Sequence, residues 1–378
     1  MKILHITNDY SGSKVYMNLI RELDNYNTQQ CVYHPIRSDS NFKKNAISFK
    51  TDGSEIIYSK SINKTTDRLF YRRKVRKILL DIEAKVDLSG INLIHAHTWY
   101  SDGGVAYLLS KKYNIPYIIT IRNTDINVFY KYLIFQRSFG KKILYSASKI
   151  ITISKIYKDK LSTISYLKEI VENKVNTIPN AVDSFWIDHA IPKKKEFKPR
   201  LIYVGSFNNG KNVVNLILSV LFLRKKGYSI ELNLVGAGKG AEQRKVEKLA
   251  KLHCSTIKYH GKVLDKRILQ KHYQSNYIFA MPSKYETFGL VYIEALLQGL
   301  PILYTRGEGV DGYFDNSIGE KVDSFDKFEI AEKIEKMINN YDNYIIDSEK
   351  ICKQHDWRYI AKQYVEIYKK YTKISQKQ

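Results

Sequence analysis

Two glutamates eight positions apart, Glu286 and Glu294, carry the first chemical suggestion in this sequence. The segment MPSKYETFGLVYIEALLQGLP, residues 281–301, runs from a strand pattern through a loop holding Glu286 to a helix opened by Gly289, with Glu294 inside that helix. A glycine at a helix start allows close backbone approach, and the free N–H groups and dipole at that end suit a phosphate. Acidic residues beside an anion bind it badly, so the partners of the two carboxylates are sugar hydroxyls, with Glu286 near the phosphate end and Glu294 further along. Taken alone, a Glu-x7-Glu spacing fits a solvated loop and an ordinary helix surface equally well.

The elements that must position these residues follow an alternating pattern. Strands are predicted at Lys2–Asn8, Cys31–Ile36, Ile91–His97, Tyr117–Arg122, Lys149–Ser154 and Val175–Pro179, with helices between most of them. After Asp183 the stretch SFWIDHAIPKKKEFKPR loses periodicity, and then strands resume at Leu201–Gly205, Glu231–Gly236, Ile257–Gly261, Tyr277–Pro282 and Pro301–Thr305. Alternation of this kind means parallel sheet with crossover helices. The division is 1–183, a linker at 184–198, a second doubly wound unit at 199–355, and a C-terminal helix at 356–378. In such sheets ligands bind outside the carboxyl ends of the strands, and the unusual residues fall on loops that follow strands.

The 281–301 segment resembles the GT-B retaining glycosyltransferases of family 4, whose signature is a Glu, an F-G-L turn and a second Glu followed by A-x-x-x-G-x-P. Glu286, Phe288, Gly289, Leu290, Glu294, Ala295, Gly299 and Pro301 supply every element. The resemblance implies an α/β fold of two Rossmann-like domains facing a central cleft, with the C-terminal helix crossing back to the first. It places Glu286 at the transferred sugar, Thr287 and the backbone of Phe288, Gly289, Leu290 and Val291 at sugar and phosphate oxygens, and Glu294 at the ribose. VGSFNNGKNVVNLILSV, 204–220, resembles the diphosphate-binding loop: Lys211 stands where a Lys is expected, but Ser206 holds the place of an Arg. Either Lys211 suffices with backbone donors, or another cation such as Arg306 enters. In YHGKVLDKRILQKHY, Lys262 and Val263 are implied to read the base, which favours uracil. LVGAGKG, 234–240, lacks the acidic ribose partner of a dinucleotide site, so NAD is not expected.

In the first domain the resemblance places Gly12 at the donor phosphate. HAHTWYSDGG brings His97 to a loop on the acceptor side, where a ligand contact and a satisfied strand-end histidine are both open. TIRNTDIN departs from the family: Arg122 and Asn123 stand where relatives have His and Gly, with Asp125 retained. Arg122 is read as a binder of carboxylate or phosphate, or as a structural residue at the core edge. Glu286, Lys211, His97 and Arg122 form the implied catalytic set, with no metal and no cofactor beyond the nucleotide-sugar co-substrate. GEGVDGYF, 307–314, is a glycine-rich loop placed to close over the donor.

Composition bounds the partners. The 378 residues are 26% charged and 44% hydrophobic, and 62 Lys plus Arg against 38 Asp plus Glu leave +24. Nucleic acid, an anionic membrane or phosphorylated small molecules would each answer such an excess. The sequence has no recognition motif for nucleic acid, so none is expected. RLFYRRKVRKILL, 68–80, and VFYKYLIFQRSFGKKIL, 128–144, interleave cations with apolar and aromatic residues. Arg72, Arg73, Arg76 and Lys77 are read as a membrane-surface face, the alternative being a helix whose apolar stripe is core and whose charges are solvated. No signal peptide or spanning segment is visible, which places the chain in the cytoplasm at the inner face of the membrane. Three dispersed cysteines form no metal or disulfide pattern. Beside a UDP-sugar-dependent transferase acting on a glycan or lipid-linked acceptor in bacterial surface polysaccharide synthesis, a GT-B-fold epimerase and a noncatalytic sugar-nucleotide sensor remain open.

Overall fold

The computed structural model describes residues 1–62, 67, 70–194, 196–323 and 325–375, the last three by backbone alone. Arg68 and Leu69 of the basic 68–80 segment, and Lys195 of the expected linker, lie outside the described residues. Contacts group Met1–Asn180 with the helix that begins at Trp357, and Ala181–Asp356 as a second unit. Residues 184–198 therefore belong to the second unit, where the short helix Ser184–Asp188 seats Trp186 in the core.

The first unit is built on seven parallel strands: β1 (Lys2–Ile6), β2 (Gln29–Pro35), β3 (Glu55–Ser59), β4 (Leu93–Ala96), β5 (Tyr117–Ile121), β6 (Lys149–Thr152) and β7 (Val175–Thr177), in the order β3-β2-β1-β4-β5-β6-β7. The second has six: β8 (Arg200–Val204), β9 (Glu231–Val235), β10 (Ile257–Tyr259), β11 (Ile278–Ala280), β12 (Ile302–Thr305) and β13 (Gly319–Val322), in the order β10-β9-β8-β11-β12-β13. The central strands read as unbroken apolar runs because helices cover both faces; every residue of β4 and β5 is buried. β3 and β13 escape the sequence pattern, and both lie at sheet edges, where half-exposed EIIYS and GEKV carry little apolar signal.

Strand order reverses between β1 and β4 in one sheet and between β8 and β11 in the other. At each reversal the two connections leave in opposite directions and open a crevice at the strand carboxyl ends. The loops carrying Gly12 and His97 leave one such point; those carrying Ser206 and Glu286 leave the other.

The helix Trp357–Ser375 packs on Lys14–Asp24 and reaches the first sheet through Tyr368, whose hydroxyl meets His95 Nδ1 at 2.7 Å. His95 Nε2 meets Thr120 Oγ1 at 2.8 Å, so both ring nitrogens of this fully buried histidine are satisfied. Tyr368→Phe would leave Nδ1 without a partner, at a cost of about 1–3 kcal/mol. Urea denaturation should show that loss as a lower midpoint with the slope unchanged, and an unshifted midpoint would remove the bond from the account of how this helix is held.

Candidate functional site

In the second unit, loops after β8 and β9 are pressed together by glycines. Gly236 has φ +149°, and a Cβ there would lie 1.8 Å from the carbonyl oxygen of Gly205; one at Gly238 would lie 2.0 Å from that of Phe207. The close approach lets Phe207 N–H bond to Ala237 O at 3.0 Å and Gly236 N–H to Gly261 O at 2.8 Å. A cavity of about 680 Å³ opens over this junction, lined by Gly205, Ser206, Gly236, Lys239, Lys262 and Val263 among others. Ser206, Lys262 and Val263 were anticipated. Lys239 was not: it lies inside the LVGAGKG run, read only as lacking the acidic partner of a dinucleotide site, and it brings a second cation to the cavity where Ser206 stands in place of an Arg. Arg306, the substitute considered from the sequence, is held by Asp323 on the surface.

Glu286 sits beside this cavity's parent loop and is 9% exposed. Lys211 Nζ donates to its Oε2 in a short ion pair, and Thr287 N–H donates to its Oε1 at 2.9 Å. Lys211 is aimed by the turn Asn209–Lys211, whose N-cap Asn208 accepts from Lys211 N–H at 3.2 Å. The backbone of Glu286 is fixed from the 307–312 loop: its N–H donates to Glu308 Oε2 at 2.8 Å, and its carbonyl accepts from Gly309 N–H at 3.2 Å. That glycine-rich loop, read from the sequence as placed to close over the donor, also buttresses Glu286. Gly289, at φ +76°, opens the helix Leu290–Leu297, because a Cβ there would lie 2.5 Å from the Tyr292 ring. Phe288 is buried against Tyr313 and His355, which leaves its backbone, with that of Leu290 and Val291, as its offering to a ligand.

One turn into that helix, Glu294 Oε2 accepts from Tyr273 O–H at 3.2 Å. Desolvation pushes its pKa up to about 7, Tyr273 and Lys266 opposing the shift and Asp183 adding to it. Near neutrality this carboxyl is poised between acceptor and donor.

In the first unit His97 follows β4 and is 1% exposed, in a stack of three buried imidazoles. Its ring lies 3.9 Å from that of His95, and its Nε2 meets His5 Nδ1 at 3.1 Å. Burial lowers all three pKa values, His5 to about 3, so the stack is neutral. Among the described residues these three are the group whose ring nitrogens approach as metal ligands would. His97 stacks on His95 and His5 at 30° and 28° while His5 is tilted 53° from His95, and with the two bonds already made by His95 this describes a hydrogen-bonded cluster. Of the two readings of His97, the satisfied histidine holds in part only, since its Nδ1 has no partner.

Arg122, after β5, donates from Nε to His97 O at 3.1 Å, and its guanidinium lies 4.4 Å from the Tyr16 ring centroid. It is half-buried, which leaves part of its fork to an anion. Asp125, anticipated on the acceptor side, is fully buried: its oxygens accept from Arg122 N–H at 2.9 Å and Tyr100 N–H at 3.1 Å. It positions Arg122 and has no face left for a substrate. Asn123 pairs with Asn127 in the same turn, and Gly12, exposed, ends the turn Tyr10–Gly12. Sequence reasoning missed a further buried pair here: Lys74, bonded to Ser101 Oγ at 2.9 Å, and Asp102, held by Asn8.

The helix Tyr71–Lys85 corrects the membrane-face reading in part. Its apolar stripe, Tyr71, Val75, Ile78 and Ile82, is core. Arg72 lies 3.6 Å from the Phe139 ring centroid and donates to Gln136, and Lys77 is paired with Asp67 at 3.2 Å. Arg73 and Arg76 point outward. Exposed apolar side chains stand at Phe70, the N-cap of this helix, at Leu80 on it and, more densely, at Val128, Tyr132, Ile134 and Phe135, the last 96% exposed. Among the described residues no helix is long and apolar enough to cross a membrane.

Comparison with known proteins extends this picture. Residues 12–184 match the model of Glycosyltransferase Family 4, and residues 184–363 match that of Glycosyl transferases group 1. An uncharacterised glycosyltransferase of Methanocaldococcus jannaschii is 29% identical over 261 residues, 68% of each chain. A capsular polysaccharide biosynthesis glycosyltransferase of Staphylococcus aureus is 27% identical over 238 residues, 59% of this chain and 61% of its own. Among solved structures, a sucrose-phosphate synthase from Thermosynechococcus elongatus superposes with TM-score 0.73 at 19% identity over 98% of both chains. An Anabaena protein solved with UDP-glucose gives 0.66 at 17% identity over 98% of this chain and 100% of its own. The two family models adjoin at residue 184 and together span both units, so the chain belongs to the GT-B glycosyltransferases of the family 4, group 1 type.

Proposed function

We propose that the protein is a retaining transferase that moves a sugar from a UDP-linked donor to a glycan or lipid-linked acceptor during bacterial surface polysaccharide assembly. It works as a peripheral protein at the inner face of the membrane, without a metal or resident cofactor. The observation that carries this reading is the Lys211–Glu286 pair beside the glycine-opened helix. In the free protein each charge satisfies the other. A diphosphate takes Lys211, and the released Glu286 carboxylate then accepts hydrogen bonds from the sugar. Lys239, Lys262 and the helix N-terminus share the task of meeting negative charge that grows on the diphosphate as the bond to the anomeric carbon breaks. The acceptor oxygen forms its bond to that carbon on the same face, and its proton passes to the departing phosphate oxygen. UDP as donor nucleotide and polysaccharide as setting draw on the Anabaena and Staphylococcus proteins respectively.

A ligand present at 100 times its dissociation constant stabilises the protein by about 2.7 kcal/mol. A panel of UDP and GDP sugars should raise the melting temperature for UDP compounds, and Lys211→Ala should remove most of that rise. Glu286→Gln should keep UDP binding and lower kcat about 10²–10³-fold, the usual loss when one transition-state hydrogen-bonding group goes. No stabilisation by any member of the panel would sink the reading.

Glu294 supplies a pH-dependent test. Its folded pKa is raised, so ionising it costs stability as pH climbs from the ordinary carboxylate range through about 7. Glu294→Gln should therefore be more stable than the native chain at pH 8, by about 1–3 kcal/mol, and the gap should shrink toward pH 5. The same variant should bind UDP more weakly at pH 8. A gap independent of pH would refute the assignment of the titration to this carboxyl.

For the membrane, the double change Ile134→Asp with Phe135→Asp should release the protein from vesicles rich in phosphatidylglycerol. Arg73→Glu with Arg76→Glu should release it at low salt only, since interactions between exposed charges are screened. Equal sedimentation of all three proteins with the vesicles would exclude both surfaces.

A further inference from the structure

The first unit holds a cavity of about 480 Å³ that the donor chemistry does not use. Ile62, Tyr71 and Lys74 form its interior and are buried. Val128, Phe129, Tyr132 and Leu133, from the turn Asp125–Tyr130 and the residues after it, form an outer wall that grows more exposed toward Tyr132. This wall continues into Ile134 and Phe135, the most exposed apolar side chains of the unit apart from Tyr132 itself. A glycan would need hydroxyl partners in quantity, and the lining offers mostly carbon.

Of the charged groups on that lining two are cations, Arg37 and Lys74, and one is a carboxylate, Asp67, beside the hydroxyls of Tyr71, Thr124 and Tyr132. Arg37 is exposed and makes no ion pair among the described residues. Lys74 has a single hydrogen bond, to Ser101 Oγ, for three N–H groups. Burial and the nearby Arg37 lower its pKa to about 8, against the pull of Asp102 and Asp67. Asp67, the carboxylate of the lining, is bound by Lys77. Arg37 and Lys74 are like charges on one largely apolar lining, and an anion bound there would add to the relief that Asp102 and Asp67 give Lys74.

We propose that this cavity binds a lipid phosphate, its hydrocarbon chain along Val128, Phe129 and Leu133 and its phosphate at Arg37 and Lys74. The site deepens the transferase reading, on which it depends for the role of the bound lipid as acceptor. The segment 125–135 then has two tasks: its inner side holds the chain, and its outer side, at Ile134 and Phe135, meets the bilayer from which the chain comes.

The test is isothermal titration of the full-length protein with dodecyl phosphate below its micelle concentration, beside inorganic phosphate and the neutral amphiphile dodecyl maltoside. Dodecyl phosphate should bind with one-to-one stoichiometry and at least tenfold more tightly than either comparison ligand. Arg37→Glu and Val128→Asp, both at exposed positions, should each weaken it at least tenfold and leave the thermal shift with UDP as it was. Equal affinity for the neutral amphiphile, or indifference to both substitutions, would overturn the proposal. So would failure to bind dodecyl phosphate, and an intact UDP response beside that failure would leave the transferase reading standing. Binding of dodecyl phosphate with no response to UDP would keep the site and remove its name as an acceptor site.

Discussion

Parallel strands deliver their carboxyl ends to one edge of a sheet, and this protein depends on that constraint twice. Because β1 and β4 send their connections to opposite sides, as do β8 and β11, each sheet has one place where loops part and leave room for a ligand. Residues far apart in the chain meet there for that reason alone. Ser206, Gly236 and Lys262 follow three different strands of the second sheet, and Gly12, His97 and Arg122 follow three of the first. The glycines at 236 and 238 add the second condition, that the loops touch: a single methyl group at either would push the β8 and β9 loops apart.

Much of this was legible because it is written in local pattern. The apolar runs of buried strands, Gly289 at a helix start and the paired glutamates are short-range signals, and the structure has the strands, Gly289 at the helix start, Glu286 in the loop before it and Glu294 within it. What escaped was decided by tertiary surroundings. β3 and β13 are edge strands, so half of each faces solvent and the apolar run that marks a buried strand is absent. Asp125 looked like a loop carboxylate free for a ligand, yet it folds back on the amides of residues 100 and 122. The interleaved cations of the helix Tyr71–Lys85 suggested a surface face, but its apolar stripe belongs to the core. Lys239 hid within a glycine-rich turn, where nothing in sequence says that the turn borders a cavity.

The charges at the two sites follow opposite strategies. In the second unit Lys211 and Glu286 meet each other in an ion pair. A buried pair of this sort contributes little net stability, because desolvation offsets the attraction. Each charge is met by the other. In the first unit the histidine stack is held neutral by burial, so it supports the strand ends without adding to the local positive field from Arg122. Protonating any ring would place a cation near that guanidinium inside a buried stack.

The net charge of +24 has to be judged by where the cations are free. Several of those near the sites are already engaged: Lys211 by Glu286, Arg306 by Asp323, Lys77 by Asp67, Arg72 by an aromatic ring. Lys239 and Lys262 in one unit and Arg37 in the other make no ion pair among the described residues, and with Lys74, which bonds Ser101 and lies in the field of Asp102, they line cavities of different character. The first cavity is ringed by backbone and glycine, which suits a flat, polar nucleotide. The second is walled by hydrocarbon, which suits a chain. A nucleic acid would ask for neither, since it is bound by a continuous basic track that follows the phosphate backbone. The remaining cations near openings are thus divided between a polar and an apolar cavity.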